Sequence, residues 1–190
     1  MKKYIYYLIL SFFTSSALAE GYYAGIGYLK SDINTYKYPS ETYSAYDDED
    51  NGITLFAGYD FNERFGIEAG YNDLGESTGT ITTPLSHIKE IKVLTLAGVL
   101  KTNSINNFIF LAKAGIAEIE NDEALSNGRN FNKKTTNAYY GLGSEYTFSG
   151  NLVIRALYED YGQDDGTTSG ASDPDQIDPT AMSLSLIKRF

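Results

Sequence analysis

Eight segments of this chain alternate apolar and polar residues, and the connections between them run long, short, long, short, long, short, long. Period-two alternation over such lengths argues strand, because successive strand side chains point to opposite faces. The pattern is plainest in YYGLGSEYTFSGNLVIRALYEDYG, from Tyr139 to Gly162. Its first arm puts Tyr140, Leu142, Ser144, Tyr146 and Phe148 on one face and Gly141, Gly143 and Glu145 on the other. Ser149-Gly150-Asn151 is a tight-turn signal. The second arm sets Leu152, Ile154, Ala156 and Tyr158 against Val153, Arg155, Leu157 and Glu159. In an up-and-down meander, this order of connections gathers every long loop at one end and every tight turn at the other.

The remaining strands are expected at about Tyr22–Leu29, Gly52–Phe61, Arg64–Asn72, His87–Lys101, Asn107–Glu118 and from Thr180 to Phe190. The fourth has no clear phase: Val93, Ala97 and Val99 fit an outward face, and Leu94, Leu96 and Leu100 fit one almost as well. Long polar connections are expected at 31–51, 73–86, 119–136 and 162–179. Pro39, Pro84, Pro174 and Pro179 all fall in them, where no ladder hydrogen bond is lost.

The apolar faces have two readings. A soluble sandwich or barrel points them at a shared core, whereas a membrane barrel points them at lipid and keeps the polar face in its lumen. Mean hydropathy of −0.29 does not decide, because a transmembrane barrel hides half its residues in the lumen. Glycines weigh on the second side. In five strands they share a face with charged or polar residues, and an eight-stranded interior is only wide enough for side chains to fill it. Glycine there makes room for long charged side chains, which are tolerable only if paired. Glu68, Lys113, Glu145, Arg155 and Glu159 supply both signs and form the expected lumen network. Tyr22, Tyr28, Tyr59, Tyr71, Tyr146 and Tyr158, with Phe61 and Phe148, read as interfacial girdles.

The start of the chain argues export. Lys2 and Lys3, the apolar run Tyr4–Phe13 and the small-x-small site Ala17-Leu18-Ala19 make the three-part plan of a cleaved signal peptide over residues 1–19. Removing two of 15 basic residues leaves 13 against 25 acidic ones, a net charge of −12 over residues 20–190. That balance argues against nucleic acid or a bare anionic membrane surface as partner. Cysteine is absent, so no disulfide framework exists.

Several pieces, in order, resemble the OmpA-type eight-stranded outer-membrane β-barrel domain, a porin-like family. GYYAGIGY is similar to its first strand and FAGYDFNERFGIEAGYNDLG to its second hairpin; FLAKAGIA and the Tyr139–Gly162 hairpin are similar to its fifth strand and third hairpin. The resemblance implies an all-β, transmembrane, up-and-down antiparallel eight-stranded barrel spanning residues 20–190, in the outer membrane of a Gram-negative cell envelope. It implies outer-membrane lipid and lipopolysaccharide as surroundings, and a monomer as the expected state. It also implies that the barrel assembly machinery reads Met182, Leu184, Leu186 and Phe190; Lys188 departs from that row. Larger members carry a peptidoglycan-binding domain after the barrel, and none is expected after Phe190.

No enzyme, cofactor or metal site is expected. Ser86 and His87 are chain neighbours, so strand geometry sends their side chains to opposite faces, and no G-x-S-x-G elbow is present. Asp47-Asp48-Glu49-Asp50-Asn51-Gly52 fails as a calcium loop because its twelfth position is Gly58. It reads as a solvated loop, as do Asp164, Asp165, Asp173, Asp175 and Asp178. The leading reading is therefore a non-enzymatic outer-membrane protein with a plugged, salt-bridged lumen and a structural or surface-interaction role. The alternatives are a narrow gated pore, a lipid-modifying barrel enzyme and a soluble periplasmic ligand-binding barrel.

Overall fold

A strand whose two faces differ so sharply is stable only in a sheet with two separate environments, and closing the sheet on itself supplies them while removing its edges. A computed structural model, which describes residues 21–34, 43–81, 86–125, 130–163 and 177–190, shows that closure. The strands are β1 (Tyr22–Asp32), β2 (Tyr43–Asp47), β3 (Glu49–Asp60), β4 (Phe65–Ile81), β5 (Ser86–Lys101), β6 (Phe108–Leu125), β7 (Asn130–Ser149), β8 (Leu152–Asp160) and β9 (Thr180–Arg189). Eight of them form an antiparallel ring in chain order, β1 closing onto β9 from Tyr23↔Arg189 to Asp32↔Thr180. The ninth segment, β2, continues β3 beyond a break at Asp48 and pairs with the far end of β4. No helix occurs among the described residues.

Three tight turns lie at one end: Phe61–Arg64, the Thr102–Asn107 turn and Gly150-Asn151. Asn106 and Asn107 take left-handed φ values of 51° and 69°, a conformation asparagine tolerates better than most residues. The other four connections leave the opposite end, as expected from the sequence, although those between β4 and β5 and between β6 and β7 are shorter than expected. Residues 1–19, expected as a signal peptide, and parts of the long connections lie outside the described residues, as do Asp164, Asp165, Asp173 and Asp175.

The barrel has two storeys. In the lower one, next to the tight turns, Ile26, Leu96, Leu142 and Leu184 face outward and stand 48–66 % exposed. Glu68, Lys113, Glu145, Arg155 and Glu159 are 1–5 % exposed, facing inward. Tyr22 packs against Tyr59, Tyr59 against Phe61, and Phe108 against Tyr146 along the turn end of the outer wall. In the upper storey the pattern reverses. Leu29, Ile33, Leu74, Ile91, Ile119, Tyr161 and Ile177 form a buried apolar cluster inside, while Glu118, Lys134 and Thr136 face out.

The structure corrects two expectations and resolves a third. The polar stretches 73–86 and 119–136 are largely strand: β4 to β7 run 16–20 residues, against the ~9–11 that cross a bilayer. Each continues upward as a water-soluble strand, polar outside and apolar inside, so its composition reads as loop. A bulge between Asp73 and Gly75, with Gly75 at φ 81°, shifts the phase of β4, so that both Leu74 and Ser77 are buried. The first long connection likewise contains β2 and the start of β3. In β5 the leucines face outward, and Val93, Thr95, Ala97, Val99 and Lys101 face inward. Bulky Leu suits the lipid side, and the crowded lumen takes the smaller residues.

Candidate functional site

The inward charges of the lower storey form one continuous alternating chain. The Glu159 carboxylate lies 3.0 Å from the Lys113 ammonium, and Lys113 lies 2.8 Å from Glu68. Glu68 is 2.6 Å from the Arg155 guanidinium, whose other side is 2.7 Å from Glu145. Glu145 is 2.7 Å from Arg189, Arg189 is 3.0 Å from Asp60, and Asp60 is 2.8 Å from Lys101. Four acids and four bases thus alternate from the apolar cluster down to the turn end of the barrel.

Phenols complete the acceptors. Tyr23 donates to Glu68 at 2.8 Å, Tyr161 donates to Glu159 at 3.3 Å, and Tyr139 also donates to Glu159. The Arg155 guanidinium sits 4.6 Å from the Phe56 ring centre and 5.6 Å from that of Tyr23, within cation–π range. Two glycines let these rings approach. A Cβ on Gly25 would lie 2.2 Å from the Phe56 ring and one on Gly58 2.4 Å from Tyr23. At these two positions glycine makes room for the aromatic rings that flank the charges.

Glu68, Lys113, Glu145, Arg155 and Glu159 come together in this chain. Asp60, Lys101, Arg189, Tyr23, Tyr139 and Tyr161 were not singled out from the sequence. Parity along the strands carries the signal for Tyr23 and Tyr139, which share the inner rows; Lys101 escapes it because the phase of its strand is open in the sequence. Asp60 and Arg189 end their strands, where parity is weakest. Tyr161 follows β8 and its amide donates to the Pro179 carbonyl at 3.1 Å, while the Asp178 amide donates to Ile33 at 3.2 Å. These bonds hold Tyr161 and Ile177 over the lumen. Burial pushes the Asp178 carboxyl above the usual carboxylate range, with Asp160 and Asp32 adding to the rise.

The acidic run after β2 is used within the fold. Asp50 accepts from the Glu76 amide at 2.7 Å, Asp48 from the Ser77 hydroxyl at 3.1 Å, and Glu49 pairs with Lys30 at 2.5 Å. No group of three or more His, Cys, Asp or Glu suited to a metal occurs among the described residues. Ser86 and His87 end β5 opposite Thr80 and Gly79, and their side chains lie outside the described set. Met182, Leu184 and Leu186 face outward on β9 at 66, 60 and 43 % exposure; Lys188 shares their row, and the Phe190 amide donates to Tyr22 at 3.0 Å.

Charge divides sharply along the sequence. Segments 30–50, 73–92, 118–138 and 160–179 carry 19 acidic and 7 basic residues, a balance of −12. The rest of residues 20–190 carries 6 of each, so its balance is zero. On the upper outer wall Lys134 lies 3.1 Å from Glu120 and 3.7 Å from Glu118, and Lys92 lies 2.9 Å from Glu90. Hydrogen bonds from Asn132 and then Lys134 hold the Glu120 carboxyl below the ordinary range.

Solved structures share this architecture. The attachment invasion locus protein Ail of Yersinia pestis, solved in complex with the heparin analogue sucrose octasulfate, superposes with a TM-score of 0.57 at 19 % identity, over 90 % of this chain and 100 % of Ail. Neisserial surface protein A gives 0.61 at 10 % identity over 90 % and 97 % of the two chains. The outer-membrane protein OprG of Pseudomonas aeruginosa gives 0.56 at 11 %, over 90 % and 96 %. At such identities the likeness is one of fold. No curated protein sequence matches the chain. The sequence profile of the outer membrane protein beta-barrel domain matches residues 6–190, which puts the site just described inside an outer-membrane barrel. The chain belongs to the outer membrane protein beta-barrel domain family.

Proposed function

We propose that this protein is a non-enzymatic integral outer-membrane barrel with a sealed lumen, which acts through the anionic surface at its long-loop end. The observation that carries this reading is a double closure. An alternating ion-pair chain crosses the lower lumen, and the apolar cluster of Leu29, Ile33, Leu74, Ile91, Ile119, Tyr161 and Ile177 lies above it. A gated pore would have to break buried pairs, at roughly 3–5 kcal/mol for each charge left unpaired. It would also have to move the apolar cluster aside. Structural support of the envelope and surface interaction are the roles left to such a barrel.

The sign of the surface selects its partner class. A balance of −12 on the long-loop segments repels polysulfated chains and favours cationic proteins or peptides, with strong salt dependence. Ail, by contrast, was solved with a heparin analogue. Residues 1–19 serve as the cleaved signal peptide, and the row ending at Phe190 serves as the assembly signal. The barrel works as a monomer in contact with lipopolysaccharide.

Three measurements test the reading. Insertion into a planar bilayer is expected to give no steady conductance step; a regular step would sink the sealed lumen. Vesicles carrying the protein are expected to bind polylysine and not heparin at low salt, and the reverse preference would overturn the surface assignment. Ser86→Ala and His87→Ala are expected to leave lipid A unchanged, and loss of a lipid modification in either would promote the enzyme reading.

A further inference from the structure

The outer wall of the lower storey carries a groove of about 470 Å³ beside the tight turns. Phe65, Leu100, Phe110 and Leu142 wall it, and Ala112 lies among them. The registers explain the hollow. Leu100 pairs with Ala112 across β5 and β6, and Ala112 with Leu142 across β6 and β7, so a methyl group sits between two leucines. Gly98 stands one outward position further from the turns, where an added Cβ would meet only the Ala114 carbonyl, at 3.9 Å.

Arg64 borders this groove at its turn end. Its Nε donates to the Asn103 side-chain oxygen at 3.2 Å, and no carboxylate of the described residues pairs with it. Every basic side chain in the lumen chain has an acid within 3.0 Å, so Arg64 stands apart. Glu63, its chain neighbour, lines the open mouth of the barrel instead, and Lys101 turns its ammonium to Asp60.

We infer that the groove and Arg64 together form a binding site for one anionic phospholipid of the periplasmic leaflet, the acyl chain lying along Ala112 and the phosphate on the guanidinium. An apolar slot ending in an unpaired guanidinium, at the level where the bilayer's headgroups begin, matches a phosphodiester joined to a hydrocarbon chain. The planar guanidinium fork suits phosphate oxygens. The tight-turn end of such barrels faces the periplasm, where the leaflet is phospholipid, which selects that lipid over lipopolysaccharide. Asn103 holds the guanidinium through one nitrogen and leaves the others to the phosphate.

Native mass spectrometry of the full barrel in micelles tests this, with phosphatidylglycerol and phosphatidylcholine of the same acyl chains as probes. The wild type is expected to retain one phosphatidylglycerol in preference to phosphatidylcholine. Arg64→Gln should weaken that preference about tenfold, the order expected on losing a charge-assisted hydrogen bond. Ala112→Phe, which fills the slot, should reduce retention of both lipids, whereas Lys188→Gln should change neither. Equal retention of the two lipids by the wild type, an undiminished preference in Arg64→Gln, or stronger retention of lipid A would overturn the site. Boil-dependent gel mobility reports the folding of each variant, and either of Arg64→Gln and Ala112→Phe decides the matter if the other fails to fold.

Discussion

The lower and upper storeys of this barrel use the same strands to solve opposite problems. Below, Leu96 and Leu142 face out and Glu68 and Arg155 face in; above, Ile91 and Ile119 face in and Glu118 and Lys134 face out. The backbone ladder runs through both, as in β6 and β7, paired from Phe108↔Tyr146 to Ala124↔Asn130. Only the solvent outside changes, from hydrocarbon to water. Ion pairs occur in both storeys, but at Arg155 they are buried to 1 % exposure and at Lys134 they are half exposed. Desolvation makes an unpaired charge costly in the first place and nearly harmless in the second.

Removing Arg155 should produce the largest break. Arg155→Ala leaves Glu68 and Glu145 buried without their shared cation, and breaking a buried pair costs about 3–5 kcal/mol. Urea unfolding of the barrel in lipid vesicles measures this. A shift below that of an exposed substitution would mean that the lumen is hydrated and the chain of pairs is not structural. The double change Arg155→Met, Glu68→Gln should recover part of the loss, since Glu159, Glu145 and Asp60 then face Lys113, Arg189 and Lys101 with every charge paired.

Leu96→Arg tests which solvent the lower wall meets. Leu96 stands outward at 48 % exposure between Ala69 and Ile116. An arginine on the lipid face costs roughly 2–4 kcal/mol near the midplane and falls towards zero at the interfaces. The same substitution at Glu118, higher on the outer wall, should be close to neutral. Equal effects at both positions would remove the distinction between the storeys.

The expected cost at Gly58 is smaller and tests the packing around the charges. Gly58→Ala puts a methyl 2.4 Å from the Tyr23 ring, whose hydroxyl donates to Glu68. Overpacking of this kind costs typically ~1–3 kcal/mol. Pairing it with Tyr23→Leu should return part of that loss, and failure to do so would show that the ring is not the obstacle.

How much was legible follows from this reversal. The eight barrel strands, the end at which the tight turns lie, and the outward rows of β1, β3 and β8 follow from alternation alone. Alternation is less informative where its meaning flips. Polar residues in Glu118, Glu120 and Asp122 mark the outer wall in water, yet the same composition marks a loop when the strand is assumed to end at the membrane. The bulge at Leu74 and Gly75 also shifts the phase within one strand, which no period-two reading follows across. At the site, parity places Glu68, Lys113, Glu145, Arg155 and Glu159 on inner rows. Asp60 and Arg189 escape it because they end strands, and Tyr161 and Ile177 because they reach the lumen from a long connection. Their positions depend on the Pro179 and Ile33 backbone bonds, which join segments far apart in the chain.

The weakest effect is expected at Lys134, and it is the most exacting check of the comparison. Lys134 reaches Glu120 and Glu118 on the upper wall with about half of its side chain exposed. Glu120 has its carboxyl lowered first by Asn132 and then by Lys134, so its contribution is present above the ordinary carboxylate pKa and is lost as pH falls through the lowered value. Both groups are open to water and salt, which screen the pair. Lys134→Gln should therefore leave the urea midpoint at neutral pH within experimental scatter, while slightly shifting the acid limb of the Glu120 titration upward, as read by carboxylate NMR. A loss at Lys134 approaching that at Arg155 would mean that the upper wall is as dry as the lumen, and the contrast between the storeys would then lie in sequence pattern alone and not in solvation.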